Sequence, residues 1–481
     1  MQGFCVQQTT DGGFIACGNI AIDSSNIDLY LLKTNASGDT VWMKTYGGPA
    51  GEYEGVVQQT FDGGYVILGS THSFGAGQGD ILFIKTNSSG DTLWTRTYGG
   101  NGDEIGQSVF QTPDGGYIIG GHTDTFGQRG EFYMIRTDHS GDTLWTRTYG
   151  GAQHDHGFSV LQTTGGDFVL AGHSLSFSVN GGFYAVRTSI NGDTLWSRGY
   201  GGKEDSYCYS IAETHSGGFI LAGTTTSFGA GGMDAMVVKI DGTGDTLWSR
   251  TYGSAGDEYF NCVKTLYEGG YILTGSTSSG IDSSDVYVVK IDENGDTLWT
   301  RTYGGLKDDE SAFVDVCADS SYVICGSTKS AGNVNSQIYL LHVDKNGNAG
   351  CSWLHANTIL SKPDSVMYNV ATTQGTCATQ MGVAAVHSNH NSLQKTDGCS
   401  VFGIPNIFFE SGVKIYPCPA TEELTIQSER EIGTLRIYDS FGRTCFETKS
   451  SSTHQQVKMS HLPNGFYTVE IGGRHFMIVK Q

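Results

Sequence analysis

All seven tryptophans of the chain fall on one ladder, Trp42, Trp94, Trp145, Trp196, Trp248, Trp299 and Trp353, at steps of 52, 51, 51, 52, 51 and 54 residues. A fixed period of this size means that one supersecondary unit is copied, and that the copies must stack to bury their apolar faces. A second ladder runs in phase with the first. It is a Gly-Gly-aromatic turn at Gly12-Gly13-Phe14, Gly63-Gly64-Tyr65, Gly115-Gly116-Tyr117, Gly217-Gly218-Phe219 and Gly269-Gly270-Tyr271, with degenerate copies at Gly165-Gly166-Asp167-Phe168 and Ser320-Ser321-Tyr322.

Each period holds four short runs of β-branched and aromatic residues bounded by Gly, Asp and Ser, and none has helical spacing. In the third copy these predicted strands are Gly106–Thr112, Gly116–Thr123, Phe132–Asp138 and Thr143–Gly150. Four strands in about 51 residues is the size of a propeller blade, and a closed ring removes the open edges that a linear stack would leave. The expected fold is therefore all-β: a seven-bladed β-propeller of four-stranded blades over residues 1–354. A Ser/Thr/Asn-rich linker with local β character (355–412) and a small Ig-like β-sandwich (413–481) follow it. The 70 glycines among 481 residues, with only 7 prolines, fit repeated tight turns better than disorder or collagen.

Charge narrows the function classes. With 28 Lys+Arg against 49 Asp+Glu, the net charge of -21 repels phosphate backbones and anionic lipid. No run approaches the roughly 20 apolar residues of a membrane helix. The chain opens MQGFCVQQTTDGGF, inside a repeat and without a basic or apolar leader, which reads as a product whose export signal lies upstream. Eleven cysteines leave at least one without an intramolecular partner, and Cys351, Cys377 and Cys399 could supply a disulfide.

The copies resemble the tryptophan-bearing blades of quinoprotein-like propellers at Ile240–Trp248 (IDGTGDTLW) and Ile291–Trp299 (IDENGDTLW). They are still more similar to glycine-rich propeller repeats of large secreted bacterial proteins. Both resemblances imply a fold and no particular activity. The tail carries a different set of landmarks: Tyr416, Pro417, Pro419, Leu424, Asp439, Gly442, Arg443, Leu462, Pro463, Gly465, Tyr467 and Lys480. In this order and at the C-terminus they resemble the type A sorting domain of the type IX secretion system, with Cys418 standing where that family usually has Asn. The resemblance implies export through the periplasm to the cell surface or medium, with the secretion machinery as partner.

Catalytic signatures are thin: HExxH, GxSxG and the P-loop are all missing. The glycine-dense Gly75–Gly79 stretch joins two strands and has no helix behind it to hold a phosphate. His154 and His156 form the one i, i+2 histidine pair, and it lacks an evident third ligand. The most suggestive pattern is acidic. The loop after each Tyr-Gly-Gly carries Glu52 and Glu54; Asp103 and Glu104; Asp155; Glu204 and Asp205; Asp257 and Glu258; and Asp308, Asp309 and Glu310. The loop between second and third strands adds Asp28, Asp80, Glu131, Asp234 and Asp285. In an up-and-down meander these two loop sets share one face, opposite the turn aspartates Asp39, Asp91, Asp142, Asp193, Asp245 and Asp296.

A carboxylate rim suits Ca²⁺ or the hydroxyls of a sugar. Equally, such residues satisfy loop amides and keep a surface soluble, and recurrence is what structural residues show too. No other metal or cofactor is expected. The leading expectation is a non-enzymatic binding protein for an extracellular glycan or protein. The alternatives are a polysaccharide-acting hydrolase or lyase, and a purely structural adhesin. The seven tryptophans are expected at blade-to-blade contacts.

Overall fold

A computed structural model describes residues 2–349 except 23–25, 128–129, 179, 279–282, 306 and 331–335. Beyond these it describes strand segments between 359 and 402, and then 413–416, 423–428, 431–439, 443–460, 462, 465–471 and 474–480. The chain divides into two compact units, Met1–Leu393 and Gln394–Gln481.

The first unit is a series of repeated antiparallel sheets, consistent with a propeller. In the third, strands Glu104–Gln111, Tyr117–Thr123, Glu131–Thr137 and Thr143–Gly150 pair in chain order. Local chemistry sets each turn. Thr112 and Gly116 close the first hairpin, with Gly115 at a φ of 87° where a side chain would be strained. Asp114 locks it by accepting from the Thr112 hydroxyl (2.6 Å) and pairing with Arg136 on the third strand (2.5 Å). In the last hairpin the Asp138 carboxylate accepts from the amides of Ser140 and Asp142, an Asx turn. The second and third strands of this sheet are buried along their whole length, because the sheets stack face to face.

The Trp-x-(Arg/Lys)-x-Tyr stretch of each fourth strand grips the next sheet. Tyr46, Tyr98, Tyr149, Tyr200, Tyr252 and Tyr303 donate their hydroxyls to the carbonyls of Gly90, Gly141, Gly192, Gly244, Gly295 and Gly347 at 2.6–2.8 Å. The tryptophan four residues earlier lies on the same glycine: a Cβ on Gly141 would stand 2.9 Å from two ring carbons of Trp94. Trp145, Trp196 and Trp248 also donate their indole N–H to a carbonyl of the following turn, at 3.2, 3.0 and 3.1 Å. Arg96, Arg147, Arg250 and Arg301 lie over the tryptophan rings at 5.4–5.7 Å. The rings are half-buried. Trp353 lies outside the described residues.

Among the described residues seven sheets of this kind follow one another, the last with three described repeat strands ending at Val343. Their first strands touch successively, and the seventh (Asp309–Val316) touches the first (Gln2–Gln8). Side chains cross that last junction: the amide of Gln8 donates to Asp315 at 3.1 Å, and the amide of Ala318 donates to the side-chain oxygen of Gln8 at 2.8 Å. Short strands at Ile359–Ser361, Val366–Asn369, Thr373–Gly375, Gln380–Gly382 and Val386–Asn389 add to the outer edges of the fifth, fourth, third, second and first sheets in turn. Covered edges offer no template for pairing with another chain.

The second unit holds two antiparallel sheets. One comprises Val413–Tyr416, Glu423–Ser428 and His454–Lys458, and the other Gly433–Asp439, Thr444–Ser450, Gly465–Ile471 and Arg474–Lys480. Alternating residues of both sheets, among them Leu424, Ile426, Val457, Leu435, Ile437, Val469 and Ile471, meet in one apolar core.

Candidate functional site

The structure divides the rim carboxylates into two sets. Glu52, Glu104, Asp155, Glu258 and Asp309 are buried, and each opens the first strand of its sheet. Glu104 shows what they do: it accepts from the Gly100 amide (2.7 Å), the Thr123 hydroxyl (2.7 Å) and the Thr125 amide (3.2 Å). The sequence places these residues in loops, yet they start strands, because the carboxylate satisfies the amides that the turn leaves free. Each faces a carboxylate of the preceding sheet. A Cβ on Gly47, Gly99, Gly150, Gly253 or Gly304 would strike both members of the pairs Asp28/Glu52, Asp80/Glu104, Glu131/Asp155, Asp234/Glu258 and Asp285/Asp309. Where Gly182 replaces the first acid, Ser206 replaces the second. Burial raises Asp80, with Glu104 and Asp103 adding to the shift against the amides of Gly77 and Ala76. Burial and the Asp309 charge push Asp285 up to about 6.

Four of the remaining rim carboxylates stitch loops together. Asp257 accepts from the Met233 amide at 2.9 Å, Asp308 pairs with Lys329 at 2.9 Å, Asp205 pairs with His173 at 2.9 Å, and Glu204 faces Asn180 at 3.4 Å. Asp103 is half-buried, and its backbone carbonyl accepts from the Asp124 amide. Among the described residues no rim position gathers three carboxylates around one point, whereas Ca²⁺ takes six to eight oxygens.

Where the first strands converge, a different surface emerges. The second and fourth residues of these strands are half-buried and break the repeat: Tyr53, Ile105, His156, Tyr207 and Tyr259 at the second position, Gln107, Phe158, Tyr209 and Asn261 at the fourth. Tyr207 and Tyr209 are parallel within 9° at 6.1 Å, Phe158 meets Tyr209 edge-on at 5.3 Å, and His173 stacks on Tyr207 at 3.9 Å. His122 stacks on His156 at 4.3 Å. On the second sheet a wide bulge holds Glu54 at a φ of 61°, a conformation that a non-glycine residue adopts at a cost. The Glu54 carboxylate accepts from the Gln107 side-chain amide at 2.7 Å, and burial raises its pKa. Glu54 and His156 were singled out from the sequence, but the aromatic residues Phe158, Tyr207 and Tyr209 were not. The signal that marks them is variation at two positions of an otherwise regular strand.

His154 and His156 both turn toward Gly130, with the Asp124 carboxylate on the same side. Burial, with His156 and His154 adding, drives His122 down to about 3.

In the C-terminal unit Tyr467 is buried in the core, Leu462 packs against it, and Arg443 is exposed. Tyr416, Asp439, Gly465 and Lys480 lie on strands. Pro417, Pro419, Gly442 and Pro463 lie outside the described residues. Residues 414–481 match the secretion system C-terminal sorting domain. The tail is a type IX sorting domain. Such a tail implies a secreted or surface-attached bacterial protein, handled by the type IX machinery.

No curated protein matches the chain. Solved structures similar to it include the following three. Sqt1 of Chaetomium thermophilum shares 12% identity over 72% of this chain and 82% of its own, with a TM-score of 0.36. PorZ, a surface component of the type IX system of Porphyromonas gingivalis, shares 10% over 100% and 98%, with a TM-score of 0.17. An endo-1,5-α-L-arabinanase of Thermotoga petrophila shares 9% over 72% and 96%, with a TM-score of 0.28. At these scores the likeness extends to neither site nor activity. Among the described residues no helix is long and apolar enough to cross a membrane.

Proposed function

We propose that the seven sheets close a seven-bladed propeller over residues 1–354, that 413–481 form an Ig-like sandwich read by the export machinery, and that the exported propeller binds an extracellular carbohydrate without turning it over. The observation that carries this reading is the half-buried aromatic cluster of Phe158, Tyr207 and Tyr209 on the first strands of two neighbouring sheets. Flat apolar rings beside a few fixed polar groups are the chemistry of a small-ligand site. Glu54, Gln107 and Asn261, on the first strands of the second, third and sixth sheets, supply polar groups suited to sugar hydroxyls while the rings take the C–H faces. The loop carboxylates then serve the fold rather than the ligand.

A screen of the exported protein against a glycan array, with Tyr207→Ala/Tyr209→Ala beside it, tests the reading. The expected result is binding to a defined glycan class that falls on the order of 10-fold or more in the double variant. Unchanged binding in that variant would move the site elsewhere. A second reading rests on Glu54, whose raised pKa and strained backbone are what a catalytic acid shows. It expects release of new sugar ends from a polysaccharide by the native protein and none by Glu54→Gln.

A further inference from the structure

The first hairpin of the seventh sheet departs from its six copies at two positions that face one another. The turn-entry position is Thr9, Thr60, Thr112, Thr163, Thr214 and Leu266 in the others, and Cys317 here. The facing position on the third strand is Lys33, Lys85, Arg136, Arg187, Lys239 and Lys290 in the others, and His342 here. In most copies that cation pairs with an acid of its own hairpin, as Lys33 does with Asp11 and Lys85 with Asp62, each at 3.0 Å. The seventh sheet keeps the acid, Asp319, and exchanges alcohol and cation for a thiol and an imidazole. The sulfur, imidazole nitrogen and carboxylate oxygen all lie within 4.8 Å of one another.

We propose that Cys317, Asp319 and His342 bind a divalent transition metal of the zinc class. A thiolate, an imidazole and a carboxylate together are a donor set for Zn²⁺ or Co²⁺, and not for Ca²⁺ or Mg²⁺. A tetrahedral ion with ligand bonds of about 2.0–2.3 Å draws its donors to roughly 3.5 Å apart, so the three side chains need close by only about an ångström. At present the Ser321 hydroxyl holds the middle of the group, 2.5 Å from Asp319 and 2.7 Å from His342 Nε2. The metal takes its place as their shared partner. Cys317 is buried, His342 half-buried and Asp319 exposed, so the ion enters from the turn side and water fills its fourth position. Binding forms the metal–sulfur bond and releases the thiol proton to solvent. Because binding displaces that proton, affinity rises with pH. The His342 ring also lies 5.8 Å from Phe14 of the first sheet, which puts the clip at the junction of the last and first sheets.

Co²⁺ titration of the full chain under a non-thiol reductant reads the site directly. One equivalent should bring a thiolate-to-cobalt charge-transfer band and the visible bands of tetrahedral cobalt. Zn²⁺ should bleach both, and at 100-fold excess over its Kd it should raise the folding equilibrium constant about 100-fold. Cys317→Thr/His342→Lys rebuilds the hairpin of the other sheets, so it should fold while losing the cobalt bands and on the order of 100-fold or more in affinity. Cys317→Ser is the second probe and removes the charge-transfer band alone. No cobalt band in the folded native chain, or bands that persist in Cys317→Thr/His342→Lys, would overturn the assignment.

Discussion

Replacing Gly141 by alanine loads the joint between the second and third sheets at one point. Gly141 has a φ of 77°, and a Cβ there would lie 2.9 Å from two ring carbons of Trp94 and 3.1 Å from Cγ of Arg96. The left-handed backbone costs an alanine about 1–2 kcal/mol. The overpacking adds about 1–3 kcal/mol, because the ring is pinned and cannot yield freely. Gly115 supplies the control. Its φ is 87°, but a Cβ there would meet only His139, at 3.9 Å, so Gly115→Ala should cost the backbone share alone.

The two parts separate in a double-mutant cycle. Trp94→Ala alone should cost about 3–5 kcal/mol. On that background Gly141→Ala should cost only about 1–2 kcal/mol, a coupling of about 1–3 kcal/mol that Gly115→Ala should not show. Urea midpoints by far-ultraviolet circular dichroism, compared at constant slope, give each value. Strict additivity of Trp94→Ala and Gly141→Ala, or equal costs at Gly115 and Gly141, would refute the packing of tryptophan on the neighbouring turn.

Two further outcomes follow from the carboxylates. A group whose pKa is raised on folding contributes stability that is complete below its unfolded pKa and lost as pH rises through the folded value. For Asp285 that window runs from 3.8 to about 6. Asp285→Asn should therefore gain about 1 kcal/mol at pH 8, after allowance for solvent screening of a half-exposed group, and nothing at pH 3.5. Equal gains at both pH values in thermal or urea unfolding would count against the pairing with Asp309. Glu104→Ala should cost about 2–4 kcal/mol with or without Ca²⁺, and Asp103→Ala under about 0.5 kcal/mol, by the same urea assay. Comparable losses at both sites would contradict the division of the rim into buried and loop-stitching carboxylates.

The repeated sheets were legible because two ladders with one period leave little choice of architecture, and one glycine of each Gly-Gly turn, such as Gly12, Gly63 and Gly115, occupies a positive-φ position. The carboxylates were legible as a pattern and not as an environment. Asp103 and Glu104 are neighbours in sequence, but the strand begins between them, so one stays half-exposed and the other is fully enclosed. That boundary is set by which oxygen reaches the Gly100 amide, a distance no spacing rule encodes. The aromatic wall was hidden for another reason. Phe158, Tyr207 and Tyr209 look like ordinary strand residues until the stacked sheets bring neighbouring first strands together. Cys317, Asp319 and His342 span 25 positions, and only the hairpin register places them in one group.

The claim that the tail directs where this protein works is tested most directly by removing residues 413–481. The deletion belongs in a version carrying an export signal, expressed in a host with the type IX system, with surface, medium and periplasm assayed by immunoblot. The account predicts that the shortened protein accumulates in the periplasm with its propeller still folded, while the same 69 residues carry an unrelated exported protein outward. Shortened protein reaching the surface or medium at the level of the intact chain would contradict it.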